Sequence, residues 1–207
     1  MDMQAERTWI IAIKQGNQTA FQNIVEAYQR PIYNLCYRML NDATAAEDAA
    51  QEVFLRAYHK LDTYNADHKF STWLYAIASH YCLDQLKRRR LQLISLDALP
   101  SWQQIPSQPS TQPERLLLQA EANSEVQNLL SSLCPAYRLP IVLKYWYGMS
   151  CEEIAQTLNI SVSAVKSKLF RARQTMAQTL KRQQTDNQPV INSRETSFGR
   201  LTLAGAI

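Results

Sequence analysis

Between Met149 and Arg173 the chain reads MSCEEIAQTLNISVSAVKSKLFRAR, which admits little besides two short helices about a tight turn. Ser150 is placed to cap the first helix, and Glu153 three residues on completes a capping box. Ile154, Ala155 and Leu158 supply its buried stripe. Asn159 falls where the turn needs positive φ, a conformation Asn tolerates better than most residues. Ser161 caps a second helix that turns Val162, Val165, Leu169, Ala172 and Met176 inward. Its outer face shows Ser163, Lys166, Ser167, Phe170, Arg171 and Gln174, with Lys168 and Arg173 on the flanks. The pattern predicts a helix-turn-helix whose second helix suits the DNA major groove. A surface hairpin with merely solubilising charges is the rival reading. Small buried Ala, a turn Asn and a one-sided cationic face seldom coincide there.

Elsewhere the helical period recurs and alternating apolar strands do not. With only 4 Gly in 207 residues, the expected fold class is all-α. The length suits two small helical domains, each with a modest core. A net charge of +4 says little as an average, but its distribution is informative. From Pro135 to Arg182 eight cations (Arg138, Lys144, Lys166, Lys168, Arg171, Arg173, Lys181, Arg182) meet only Glu152 and Glu153, as expected of a surface facing phosphates. Cys36, Cys82, Cys134 and Cys151 form no CxxC pair and read as reduced core thiols. His80 and Cys82 sit two apart on a helix and point away from each other, so no metal site or cofactor is expected. The opening residues are polar and no apolar run is long enough to span a bilayer, so the sequence predicts a soluble, cytoplasmic protein without membrane insertion.

Four segments are expected: a helical block over 1–90, a flexible linker over 91–115, a second helical block over 116–182, and a disordered tail over 183–207. In the first block, Trp9, Ile10 and Ile13 start a short helix that Gly16 ends, and Asn17 is placed to cap the next. Pro31 begins or kinks a further helix, and Asn41 or Asp42 caps one reaching Leu61, with Ala46, Ala50, Val53, Ala57 and Leu61 inward. After turn chemistry from Asp62 to His68, helical spacing returns with Phe70, Trp73, Leu74, Ile77, Ala78 and Tyr81. The linker carries Pro100, Pro106, Pro109 and Pro113 among Ser and Gln. In the second block a helix ending near Leu133 precedes one from Pro135 through Tyr147.

Two further faces carry chemistry. Opposite the core stripe of the Asp42–Leu61 helix lie Asp48, Gln51, Glu52, Leu55 and His59, with Phe54 at the boundary. A leucine exposed among acids suits docking against a basic partner helix, although many solvated faces look similar. The Phe70–Arg90 helix combines Phe70, Trp73, Tyr75 and Tyr81 with the run Lys87-Arg88-Arg89-Arg90. Cations favour a helix C-terminus in any protein, and aromatics at this spacing are usually core, so Phe70 and Trp73 are expected to be at least partly buried. The preceding loop, Thr63 to His68, offers amide, carboxylate and imidazole groups to an unstacked base.

AEDAAQEVFLRAY (Ala46–Tyr58) and FSTWLYAIASHYCLDQLKRRR (Phe70–Arg90) resemble region 2 of bacterial extracytoplasmic-function (ECF) sigma factors. LCPAYRLPIVLKYWYGMSCEEIAQTLNISVSAVKSKLFRAR (Leu133–Arg173) resembles region 4 of the same family. The resemblance implies a non-enzymatic transcription initiation factor with core RNA polymerase, promoter DNA and an anti-sigma factor as partners. It implies that Asp48, Gln51, Glu52, Phe54 and Leu55 dock on the polymerase. Asn65, Asp67, His68, Trp73, Ile77 and His80 would engage the −10 element and a flipped base, while Lys87, Arg88 and Arg89 track phosphates. The −35 element would be read by Ser161, Ser163, Lys166, Ser167, Lys168, Phe170, Arg171 and Arg173. The linker would thread toward the polymerase cleft, and the Pro135–Tyr147 helix would grip the flap tip. His80 stands where the family commonly has Asn, so base preference at −10 does not carry over.

Two other classes compete. A helix-turn-helix regulator binding operator DNA alone needs neither the leucine-bearing acidic face nor the aromatic-basic helix. A helical hydrolase built on His59, His68 or His80 lacks any nucleophile-base spacing, phosphate-binding glycine loop or metal motif.

Overall fold

The computed structural model describes residues 3–96 and 124–186, and every regular element among them is helical. Helix α1 (Met3–Lys14) buries Ile10 and stops at Gly16, whose φ of 96° a side chain would resist. Helix α2 (Thr19–Leu40) begins without a side-chain cap. The Asn17 carboxamide instead accepts the Thr19 hydroxyl at 2.6 Å, so the expected Asn17 cap does not form. Pro31 neither starts nor ends a helix, because α2 runs through it on the strength of a continuous stripe: Ile24, Tyr28, Ile32, Leu35 and Met39. The buried Tyr28 hydroxyl donates to Glu6 and ties α1 to α2.

Both cap candidates at the next boundary are used. Asn41, at φ 54°, closes α2 in the left-handed region, and Asp42 accepts the Ala45 amide at 2.9 Å to open α3 (Ala43–His59). The inner stripe of α3 is Ala46, Ala49, Val53, Phe54 and Ala57, so Ala49 takes the place expected of Ala50. A short 3-10 turn (Leu61–Thr63) leads to the loop before α4 (Phe70–Leu96). Helix α4 runs six residues past Arg90, into the segment expected to be linker. The remainder of that linker and the tail beyond Asp186 lie outside the described residues.

In the second block, α5 (124–131) is followed by α6 (Pro135–Tyr145), which places Pro135 in its first turn, where a missing N–H costs nothing. Helix α6 ends two residues short of the expected Tyr147. Then come α7 (Cys151–Leu158) and α8 (Val162–Asp186). Ser150 and Glu153 form the reciprocal capping box, and Asn159 sits at φ 51°. Ile154, Ala155, Val165, Leu169 and Ala172 are buried together, while Leu158 is only half-buried and Thr157 goes inside. The predicted helix-turn-helix is present.

The blocks are not apart. Helices α2 and α4 of the first pack on α6 and α7 of the second, and one apolar cluster runs through both. Arg138, expected among the phosphate-facing cations, is only 7% exposed at this junction. Its guanidinium donates to the Met39, Ser131 and Leu133 carbonyls, and burial lowers its pKa. Of the four thiols, Cys36 and Cys82 are in the core; Cys151 is half-buried and Cys134 exposed. The hydrogen bond that the Cys82 thiol makes to Cys36, together with burial, pushes its pKa well up. No described helix is long and apolar enough to cross a membrane.

Candidate nucleic-acid interface

Helix α8 presents the predicted reading face to solvent. Ser163, Lys166, Ser167, Phe170, Arg171 and Arg173 are exposed, and Lys168 is half-buried. Ser161 is occupied as the cap: its hydroxyl accepts the Ala164 amide at 3.2 Å and lies 3.0 Å from Ser163 Oγ. A phenylalanine 55% exposed on a helix whose inner stripe is complete serves no packing role here. Tyr137 on α6, which the sequence reading missed, sits behind this face. Its hydroxyl accepts from Arg171 Nη1 at 3.3 Å, and Lys168 Nζ lies 5.5 Å from its ring centroid. The contact joins residues 34 apart, so no local periodicity marks it.

The loop before α4 is shaped by its own side chains. Asn65 Oδ1 accepts the Asp67 amide at 2.9 Å, an Asx turn, and the Tyr64 hydroxyl donates to the His68 carbonyl at 2.6 Å. Beneath it Tyr64, Phe70 and Trp73 form an aromatic cluster with centroids 5.3–5.5 Å apart. Phe70 is buried and Trp73 half-buried, as expected. Asn65, His68 and Trp73 converge on one cavity of about 370 Å³, which Thr72, Ala76 and, from α7, Gln156 and Thr157 also line. Asp67 faces a separate cavity with Glu6, Arg7 and Lys69. Further along α4, Ile77 is half-buried, and His80, Lys87, Arg88 and Arg89 are exposed. Arg89 reaches within 4.0 Å of the Asp42 carboxylate.

On α3 the structure separates the expected docking residues. Asp48, Gln51 and Leu55 are exposed, Leu55 by 57%. Glu52 is held by Arg56 at 2.7 Å, and Arg56 in turn stacks 4.7 Å from the Tyr81 ring. Phe54 corrects the boundary assignment. At 8% exposure it lies beside Val53 on the core stripe, because a helix phased on Ala46 and Ala49 turns residue 54 inward.

A recognition helix, an aromatic-floored loop with a cationic helix behind it, and an acidic-apolar face define a class. It is the two-region promoter-reading architecture of sigma-70-type factors. The sigma-70 region 2 family matches residues 24–92, and the sigma-70, region 4 family matches residues 123–176. The ECF RNA polymerase sigma factor SigW of Bacillus subtilis is 37% identical over 82% of this chain and 93% of that protein. The RNA polymerase sigma-H factor of Pseudomonas aeruginosa is 31% identical over 81% of this chain and 90% of that protein. Among solved structures, CnrH in complex with the cytosolic domain of CnrY superposes with a TM-score of 0.63 at 26% identity, covering 86% of this chain and 98% of that one. The sigma factor RpoE of Bartonella quintana, bound to the anti-sigma factor NepR, shares the fold with a TM-score of 0.62 at 20% identity, over 78% of this chain and 96% of that one. The chain belongs to the ECF sigma factors of the sigma-70 family.

Proposed function

We propose that this chain joins core RNA polymerase in the cytoplasm and directs it to a subset of promoters by reading −35 and −10 elements. It does so as a binding protein rather than an enzyme. The block that ends with α4 at Leu96 acts as the polymerase-docking and −10 module, and the block from α5 to α8, residues 124–186, as the −35 module. The observation that supports this best is the pairing of two surfaces: an α8 face bearing Lys166, Phe170 and Arg171 in solvent, and an Asn65, His68 and Trp73 cluster around a cavity of about 370 Å³. The first has the chemistry of major-groove readout and the second that of holding an unstacked base.

Asp48, Gln51 and Leu55 form the polymerase-facing surface, with Glu52 at its edge. Lys87, Arg88 and Arg89 follow phosphates, and His80 joins the −10 contacts. Promoter opening then needs no nucleotide hydrolysis, since unstacking costs only a few kcal/mol per base and the captured base repays it. An anti-sigma factor holds the chain inactive; CnrH and RpoE, each solved with a partner of its own, support this reading. Run-off transcription with purified core polymerase and a randomised promoter library tests the function. Chain-dependent transcripts sharing a two-element motif are expected. Tight operator binding by a homodimer without polymerase would replace this reading with a stand-alone regulator.

A further inference from the structure

We propose that Glu6 is a positioning residue for −10 recognition: from α1, it sets the aromatic floor beneath the loop that takes the base. Helix α1 lies ahead of the region 2 match at residues 24–92. The proposal rests on the reading of Asn65, His68 and Trp73 as the −10 site.

Burial singles Glu6 out. A surface helix has ample room to turn a carboxylate toward water, yet Glu6 is only 8% exposed. An ionised carboxylate is costly to bury unless something compensates it. Here it sits in the first turn of α1, where the helix dipole favours an anion, and the Tyr28 hydroxyl donates to it. An apolar side chain would pack α1 on α2 at lower cost. The carboxylate instead fixes the tilt of the Tyr28 ring.

That ring leads to the loop. Tyr28, itself buried, meets Phe70 edge-on at 5.8 Å and Tyr75 at 6.4 Å. Phe70 opens α4 and packs on Tyr64 and Trp73, and the Tyr64 hydroxyl holds the His68 carbonyl. The carboxylate is felt across this cluster. Burial and then the Glu6 charge raise the Tyr64 pKa and push that of Tyr75 up to about 12. Glu6, Arg7 and Ile10 also border the loop directly, across a cavity of about 100 Å³. Tyr64 and His68 line both this cavity and the one of about 370 Å³ that takes the base. The loop is thus a wall between α1 and the base. Aromatic pairs hold preferred edge-to-face geometries, so a Tyr28 ring released from Glu6 lets Phe70 and Trp73 shift. A binding group needs its position held within about 0.5 Å.

Competition binding by the assembled holoenzyme tests this, using promoter duplexes recovered from the run-off library with each −10 base varied in turn. Glu6→Ala should reduce discrimination among −10 bases about threefold to tenfold, with core polymerase affinity and −35 discrimination unchanged. Tyr28→Phe keeps the ring, removes the donor and should reproduce that loss. Glu6→Gln should restore most of the discrimination, because a carboxamide oxygen also accepts the Tyr28 hydroxyl. Trp73→Ala should lose discrimination by itself, and Glu6→Ala added to it should cost little more, since both act through one cluster. Discrimination kept in both Glu6→Ala and Tyr28→Phe overturns the proposal. So does an equal loss at −10 and −35, or a Glu6→Gln chain no better than Glu6→Ala. Full discrimination in Trp73→Ala would instead remove the −10 reading beneath it.

Discussion

The Tyr137 hydroxyl on α6 accepts a hydrogen bond from Arg171 Nη1 on α8 at 3.3 Å, and the same ring underlies Lys168. Two cations of α8 are thus held by one residue of α6. The bond to the phenol raises the Arg171 pKa further, on a side chain that is charged at any working pH without it. An arginine held at one edge loses less freedom when its fork meets a guanine.

Tyr137→Phe keeps the ring under Lys168 and removes only the acceptor. It should cost about 0.5–1.5 kcal/mol of −35 discrimination. Arg171→Ala should cost about 1–3 kcal/mol at a single base position. Competition binding against a series of −35 variants in the assembled holoenzyme checks both. Equal weakening on every sequence would make Arg171 a phosphate contact instead.

On α3, replacing Asp48, Gln51 and Leu55 together by Ala should weaken association with core polymerase about tenfold, since burying a leucine that is 57% exposed in the free chain contributes about 1.5–3 kcal/mol, most of which truncation removes. The fold should survive, because none of the three side chains is buried. Phe54→Ala should do the reverse. It opens a core cavity and lowers stability by about 3–5 kcal/mol. Denaturant midpoints set beside polymerase affinity separate the two classes, and a destabilised triple variant would place those residues in the core.

Local chemistry explains what the sequence reveals and what it conceals. Ser150, Glu153, Asn159 and Ser161 act within four residues of themselves, so their caps and turn are written in adjacent letters. The long-range contacts are not. Arg138 reads as one more surface cation, and only its 99-residue reach to the Met39 carbonyl shows that it is a buried cap for another helix. Pro31 looks like a helix boundary because propensity speaks against it, yet packing of Ile32, Leu35 and Met39 overrides a single missing hydrogen bond. The sequence puts Ala50 inward and Phe54 at the boundary, where the structure buries Ala49 and Phe54, because a helical stripe of small alanines leaves its phase ambiguous by one position. Trp73 and His68 were legible as chemistry, but nothing in the sequence says that Gln156 and Thr157 complete their cavity.

Asn159, at φ 51° and ψ 49°, should tolerate Gly and resist everything branched. Asn159→Gly is expected to be near neutral. Asn159→Ala should lose about 1 kcal/mol, because a Cβ without a local hydrogen bond bears the left-handed strain unaided. Asn159→Val should lose more and reduce −35 binding in parallel, since the turn sets the angle of α8. Urea denaturation of the three variants orders them, and an Asn159→Val chain as stable as the parent would show that the turn relaxes elsewhere.

Glu153 links the capping box to the junction between the blocks, and this gives the protein a predictable acid limb. Lys69 and then the Ser150 amide hold its carboxyl below the usual glutamate range. A carboxyl with a lowered folded-state pKa stabilises the fold fully above its unfolded value, about 4.3. That contribution is lost as pH falls from there through the lowered folded value. Glu153→Gln isolates the charge, because Gln at this position still completes a capping box. The variant should therefore lose stability near pH 7 and show a flatter decline between about pH 5 and pH 3. Lys69→Gln should flatten the limb only partly, leaving the contribution of the Ser150 amide. Urea midpoints across that range measure both effects. Superimposable acid limbs for the parent and Lys69→Gln would mean that the pair with Lys69 does not form in solution, and the junction between the blocks would lose one of its contacts.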